Sequence, residues 1–187
     1  MQIFFGILTI ILGTVGSLLY IRDIIAGTTK PHLYTWLIWA IVSAVVIVGQ
    51  VTKGAGAGAW STEAAEFFTV IILFFAYTHG TKDIRKIDTV FLILSLGAII
   101  PWFLTNDPTL SVILATAINV VAYFPTIRKL YRKPKSETLS MYALNLLRHS
   151  LSLLALSSLS VATYLFPAAC LIMNAVVVTI ICVRRSR

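Results

Sequence analysis

The stretch 123–143, YFPTIRKLYRKPKSETLSMYA, decides how the chain is read, because a weaker copy of it lies earlier. It aligns without a gap on 20–40, YIRDIIAGTTKPHLYTWLIWA, at an offset of 103 residues. Tyr20 falls on Tyr123, Ile24 on Ile127, Lys30-Pro31 on Lys133-Pro134 and Thr35 on Thr138. The aromatic Trp39 falls on Tyr142, and Ala40 on Ala143. Each copy leaves one apolar run, crosses a short basic connection and enters the next apolar run.

The rest of the chain consists of such runs. Of its 187 residues 58% are hydrophobic and 12% charged, where a soluble domain carries about 25% charged residues. Mean hydropathy is +0.91. This is the composition of an integral membrane protein. About 20 apolar residues cross a bilayer as helix. Seven runs approach that length, at 2–21, 32–51, 61–78, 88–104, 108–127, 138–156 and 160–183. The connections are rich in turn formers: AGTTKP, KGAGAG, THGTKD, TNDP, RKPKSE and SSLS. The first run has no basic segment before it and no small-residue cleavage site, so no cleavable signal peptide is read there.

The basic residues give the orientation. Arg22, Lys30, Lys82, Arg85, Lys86, Arg128, Lys129, Arg132, Lys133, Lys135, Arg184, Arg185 and Arg187 fall on one side of this layout, thirteen of the 15. Lys53 alone falls on the other, and Arg148 lies within the sixth run. Basic residues mark the cytoplasmic side. The expectation is an N-terminus outside and a C-terminus in the cytoplasm. The net charge of +8 then reports topology and contact with lipid headgroups, not nucleic-acid binding. A bare chain without long tails suits a prokaryotic inner membrane.

The two copies make runs 1–3 and 5–7 equivalent, with the fourth run as a linker. The expected fold is all-α: a first three-helix unit in 1–80, a linker helix at 88–104 and a second unit in 107–187. One linker helix between three-helix units keeps both units in the same orientation, an arrangement used by transporters with a site between the repeats.

On these residues the chain resembles the SWEET sugar transporters and the wider PQ-loop superfamily. YFPTIRKLYRKPKSETLS resembles the PQ-loop signature, although Pro125-Thr126 stands where the family has Pro-Gln, and Arg22-Asp23 of the first copy has no proline. The resemblance implies hinge prolines, here Pro31, Pro125 and Pro134. It also implies a site lined by an Asn on the last helix, which Asn174 supplies. The function it implies is movement of a small polar solute, sugar-like or amino-acid-like, by alternating access. The superfamily also contains a cargo receptor, so a non-transporting receptor or assembly protein on the same scaffold stays open.

The residues themselves point to the middle of the sixth run, MYALNLLRHSLSLLA. Arg148 stands about ten residues in, roughly 15 Å along a helix and close to the centre of a ~30 Å core. A charge there costs several kcal/mol and faces the interior of the bundle. Asn145, Arg148, His149 and Ser152 are spaced i, i+3, i+4 and i+7 and share one face. Arginine does not give up its proton and needs acceptors. The acids in reach on the third run are Glu63 and the deeper Glu66, of which Glu66 is the preferred partner. Three roles are open: an ion pair joining the units, a binding charge for a carboxylate or other anion (tilting the solute toward an organic acid), or proton coupling through Glu66 or His149. Asn119, Asn174 and Ser43 complete the polar set, and Trp36 and Trp39 are placed to wall a cavity. Trp60 and Trp102 read as interfacial belt residues.

No catalytic constellation, cofactor motif or metal-ligand cluster is legible. The glycine run 54–59 lacks the Lys-Ser/Thr of a phosphate loop and reads as a flexible outer loop. Cys170 and Cys182 read as small hydrophobes. The expected partners are the lipid bilayer and a small polar solute, without nucleic acid. A homo-oligomer stays open.

Overall fold

The computed structural model describes residues 1–81 and 84–185, excluding the side chains of Trp102 and Pro125. The hinge candidate Pro125, the belt candidate Trp102 and the basic residues Lys82 and Arg187 therefore lie outside the described residues. Among the described residues eight α-helices follow one another: α1 (Gln2–Ile25), α2 (Leu33–Thr52), α3 (Trp60–His79), α4 (Lys86–Gly97), α5 (Ile100–Thr105), α6 (Pro108–Arg132), α7 (Leu139–Leu154) and α8 (Val161–Arg185). A 3₁₀ turn, Gly56–Gly58, precedes α3.

The chain is an all-helical membrane protein. Among the described residues, five helices are long and apolar enough to cross a membrane: α1, α2, α3 with its 3₁₀ turn, α6 and α8. The other two expected spans differ from the sequence reading. The run 88–104 is not one helix: α4 stops at Gly97 and α5 resumes at Ile100. Pro101 explains the break, because a proline ring clashes with the carbonyl four residues earlier, here that of Gly97. The sixth run yields a helix of 16 residues, about 24 Å long at 1.5 Å per residue. It stops where the Ala155 N–H turns back to the carbonyls of Leu151 and Ser152.

Elsewhere local chemistry sets the ends as expected. Asp107 caps α6 by accepting from the Thr109 N–H at 2.8 Å, with Pro108 at the first helical position. His32 caps α2 through Nδ1. Thr138 precedes α7 but does not cap it, since its hydroxyl donates to Asp23 instead, at 2.7 Å.

The packing follows a simple scheme. α3 lies against both α1 and α2, and α8 lies against both α6 and α7. α1 packs on α7, and α2 packs on α6. α4 rests on α2 and α6. The three larger apolar clusters of the interior are centred on Val42, Val46, Val112 and Phe166; on Tyr20, Ile24, Trp36 and Ile72; and on Tyr123, Leu130, Tyr142 and Ile181. Trp39 packs against all three. The outer faces carry large apolar side chains, among them Ile7, Ile11, Phe67, Phe74, Phe103 and Ile172. Polar groups inside and apolar ones outside are the arrangement a lipid solvent demands.

The two ends of the bundle differ. At the basic end the α6–α7 connection meets the C-terminal turn of α8, and Thr81 after α3 meets the α1–α2 connection at Pro31. The buried Glu137 carboxylate pairs with Lys129 and accepts from Tyr20 and Tyr142, both at 3.3 Å. Arg185 donates to the Glu137 carbonyl at 2.6 Å. Thr29 bonds Thr138, and His32 stands 3.6 Å from Asp88. Pro31 and Pro134 sit in these connections, not within helices, and their carbonyls accept from Thr81 N–H and Arg185 Nε. A proline within a long helix is found at Pro167 of α8.

At the opposite end the glycine run 54–59, expected to be flexible, is packed. Ala55, Ala57 and Ala59 are buried, and Ser157 N–H donates to the Ala55 carbonyl. The approach needs glycine: a Cβ on Gly58 would meet Leu156 Cδ2 at 2.5 Å. Lys53 bridges to Asp107 at 3.0 Å at the same end.

Candidate functional site

Between the ends lies a cavity of about 70 Å³. That volume admits a handful of waters at about 10–15 Å³ each. Ser43 and Trp39 reach it from α2, Asn119 from α6, Asn145, Arg148 and His149 from α7, and Asn174 from α8. Every residue named from the sequence as a substrate contact thus lines one cavity. Arg148, His149, Asn119 and Asn174 are at most 7% exposed.

Arg148 reaches the cavity over Gly13 of α1, where a Cβ would stand only 3.1 Å from its Cδ. Its Nη1 donates to the Ser61 carbonyl in the first turn of α3, at 2.9 Å. Its Nη2 lies 3.0 Å from His149 Nε2. A guanidinium only donates, so His149 Nε2 accepts and the ring proton sits on Nδ1. That Nδ1 and Arg148 Nε have no hydrogen-bond partner.

The preferred ion pair of Arg148 with Glu66 is not formed. Glu66 Oε2 is buried without a partner, and Glu63 is exposed. Helix geometry gives the reason. α3 turns Thr62, Ala65, Thr69 and Ile72 toward the cavity. Glu66 follows Ala65 by one residue, about 100° further round the helix. Arg148 takes a backbone carbonyl and a neutral imidazole in place of a carboxylate, and its charge has no counter-ion in contact.

Aromatic and amide side chains make up much of the remaining lining. Tyr20, Trp36, Trp39 and Tyr123 form a row with successive ring centroids 5.3, 5.1 and 5.1 Å apart. The row lies between the cavity and the basic end. Asn174 Nδ2 donates to the Cys170 carbonyl at 2.7 Å and to the Tyr123 hydroxyl at 3.2 Å. Asn119 Nδ2 lies 3.4 Å from Cys170 Sγ. Cys170, read from the sequence as an inert hydrophobe, is therefore part of the lining, as are Tyr123, Tyr142, Ser17 and Thr62. The repeat alignment already picked out Tyr123 and Tyr142. Nothing in the sequence marked Ser17 or Thr62. Among the described residues no group of three His, Cys, Asp or Glu could hold a metal ion.

Four buried polar atoms of the lining residues have no partner: Trp39 Nε1, Arg148 Nε, His149 Nδ1 and Asn174 Oδ1. Buried polar groups are nearly always bonded, so four orphans around one cavity point to something polar that completes them. Three of the four are donors, and one of those belongs to a cation. Such a set suits an acceptor-rich guest, above all a carboxylate. No family model, curated protein or solved structure matches the chain.

Proposed function

We propose that the chain is a membrane transporter that moves a small polar, acceptor-rich solute by alternating access between two three-helix units. The single observation that carries the proposal is the buried polar cavity between the two helix sets, lined by Arg148, His149, Asn119, Asn145, Asn174 and Ser43, four of whose lining residues hold a polar atom without a partner. In this reading Arg148 and His149 receive a carboxylate or a comparable anionic group, Asn174 and Asn119 read its neutral end, and Trp39 donates from the wall. The resemblance to the SWEET and PQ-loop proteins belongs to the same proposal, with seven spans, an outside N-terminus and a cytoplasmic basic end.

The helix neighbours support two related units. Exchanging α1 with α6, α2 with α7 and α3 with α8 turns the α1–α7 contact into α6–α2. The same exchange turns α1–α3 into α6–α8 and α2–α3 into α7–α8. Each of these contacts is present. The cavity lies where the two sets meet, as a site between transporter repeats should.

A second reading makes Arg148 a strut. Its bond to the Ser61 carbonyl joins α7 to α3, and with them the two sets of helices. Uptake into proteoliposomes separates the readings. Native protein, Arg148→Gln and Asn174→Ala are compared over a panel of sugars, amino acids and organic acids, each first shown to melt cooperatively in detergent. Transport of an anionic or zwitterionic solute, lost in folded Arg148→Gln, is the expected result. Absence of uptake for every solute in folded native protein overturns the transporter. Failure of Arg148→Gln to fold, with Asn174→Ala folded and fully active, leaves the strut.

A further inference from the structure

A second cavity, of about 230 Å³, opens at the basic end. Five lysines and arginines line it: Lys30 from the α1–α2 connection, and Arg128, Lys129, Arg132 and Lys133 from the last turns of α6. His32 joins them, with the hydroxyl residues Thr81, Thr126 and Ser136. None of the described lining residues carries a carboxylate.

The described acids nearby are already engaged. Glu137 pairs with Lys129, Asp88 faces His32, and Asp23 pairs with Arg22 and accepts from Thr138. Among the described residues, the side chains of Lys30, Arg128, Arg132 and Lys133 make no hydrogen bond or ion pair. Arg128 is nevertheless only half-exposed. The carboxyl-terminal dipole of α6 offsets part of the repulsion among these cations, but it is worth a fraction of one charge against four.

Arg128 and Arg132 stand at i and i+4, so their planar forks project from one helical face. Two forks beside further lysines match the several oxygens of a phosphate, which carries one negative charge as a lipid diester and between one and two as the free anion at neutral pH, better than they match the two oxygens of a carboxylate. We propose that this cavity binds a phosphate group, either on a lipid headgroup or as a free anion. The cavity joins the α1–α2 connection to α6, so the bound anion ties the two helix sets together at the basic end. The inference does not depend on what the central cavity carries.

The melting midpoint of the full chain tests it in two arms. In neutral detergent, inorganic phosphate is titrated against chloride at equal ionic strength. In nanodiscs without free phosphate, phosphatidylcholine alone is compared with phosphatidylcholine plus phosphatidylglycerol. Arg128→Gln, Arg132→Gln and, outside the cavity, Lys135→Gln are measured alongside. The two arginines have no bonding partner among the described residues, so their variants are expected to fold and, without ligand, to melt close to native protein.

The expected result is a saturable rise of the midpoint in at least one arm. A rise with phosphate identifies a free anion, and a rise only with phosphatidylglycerol identifies a headgroup. Arg128→Gln weakens the response at least about 10-fold, as loss of charge-assisted hydrogen bonds does, while Lys135→Gln leaves it unchanged. The proposal is overturned if neither arm moves the midpoint. It is equally overturned if Arg128→Gln and Arg132→Gln respond like native protein, or if Lys135→Gln loses as much as they do, because the effect is then diffuse charge and not a site.

Discussion

Gly49→Ala is the substitution with the clearest mechanical consequence. Gly49 lies near the end of α2, where the helix meets α6. A Cβ there would fall 2.3 Å from Val112 Cγ2, more than 1 Å inside the ~3.5 Å at which carbon atoms rest. Val112 has no route of escape. It is fully buried, and a β-branched side chain in a helix is held to one rotamer. The helices must part or the methyl must strain, at about 1–3 kcal/mol for overpacking. The alanine returns at most about 1 kcal/mol of helix propensity. The net expectation is a loss of about 1–2 kcal/mol, seen as a lower unfolding midpoint in detergent. Val112→Ala removes the opposing methyl, so the double variant should melt above Gly49→Ala alone, a coupling that contacting residues show and distant ones do not. Gly49→Ala melting at or above native protein, or Val112→Ala adding its own loss without any rescue, would refute the reasoning.

Three further outcomes follow from single contacts. Pro167 has no N–H to give the Thr163 carbonyl, and Gln50 Nε2 takes its place at 3.3 Å; Gln50→Leu should cost about 1–3 kcal/mol, and much less when Pro167→Ala restores the helical bond, as a double-mutant cycle of melting midpoints will report. Glu66→Gln should be neutral or stabilising, because Glu66 Oε2 has no partner; a loss of about 3 kcal/mol or more would mean a buried pair had been broken. The Thr109 hydrogen bonds and the Lys53 ammonium hold the Asp107 carboxyl down at about 2. Its contribution is therefore complete above the ordinary carboxylate range near pH 4 and fades as pH falls toward 2, so Asp107→Asn should remove part of the acid-induced fall in melting midpoint over that window and leave the profile at neutral pH flat.

The sequence exposed the polar face of α7 because four polar residues at i, i+3, i+4 and i+7 in an apolar run have one low-cost direction to point. The same physics brought Asn119 and Asn174 inward. It did not identify the acceptor of Arg148. A backbone carbonyl such as that of Ser61 belongs to every residue and marks none. Glu66 attracted the pairing because its type was right, yet its position was one residue off the inward stripe. That stripe is set by Thr62 and Thr69, ordinary residues whose direction only packing reveals. The break between α4 and α5 was legible at Pro101, whose ring cannot follow the carbonyl of Gly97. The apolar run around it concealed the signal. The partnership of Gln50 with Thr163 needed both a proline and a contact across helices; the first was in the sequence and the second was not.

The two ends of the cavity are closed by different physics, and that bears on how it would open. At the end holding Gly49 and Gly58, closure rests on glycines that admit Val112 and Leu156, with the hydroxyl of Ser152 bonding the Gly58 carbonyl. Parting these surfaces exposes apolar area at about 25 cal/mol per Å², which water does not compensate, although it does compensate the few polar contacts there, such as Lys53 with Asp107. At the basic end closure rests on Glu137 with Lys129, Tyr20 and Tyr142, and on Asp23 with Thr138. Breaking those bonds in a dry interior would cost several kcal/mol for the stranded charge. Opening toward the aqueous phase admits the water that solvates it, and the net loss per hydrogen bond falls to about 0.5–1.5 kcal/mol. If the two helix sets move as units, the basic end is therefore the one whose opening is compensated by solvent. The opposite end needs another source of free energy, and a solute that satisfies Arg148 in place of the Ser61 carbonyl would supply it where α7 meets α3.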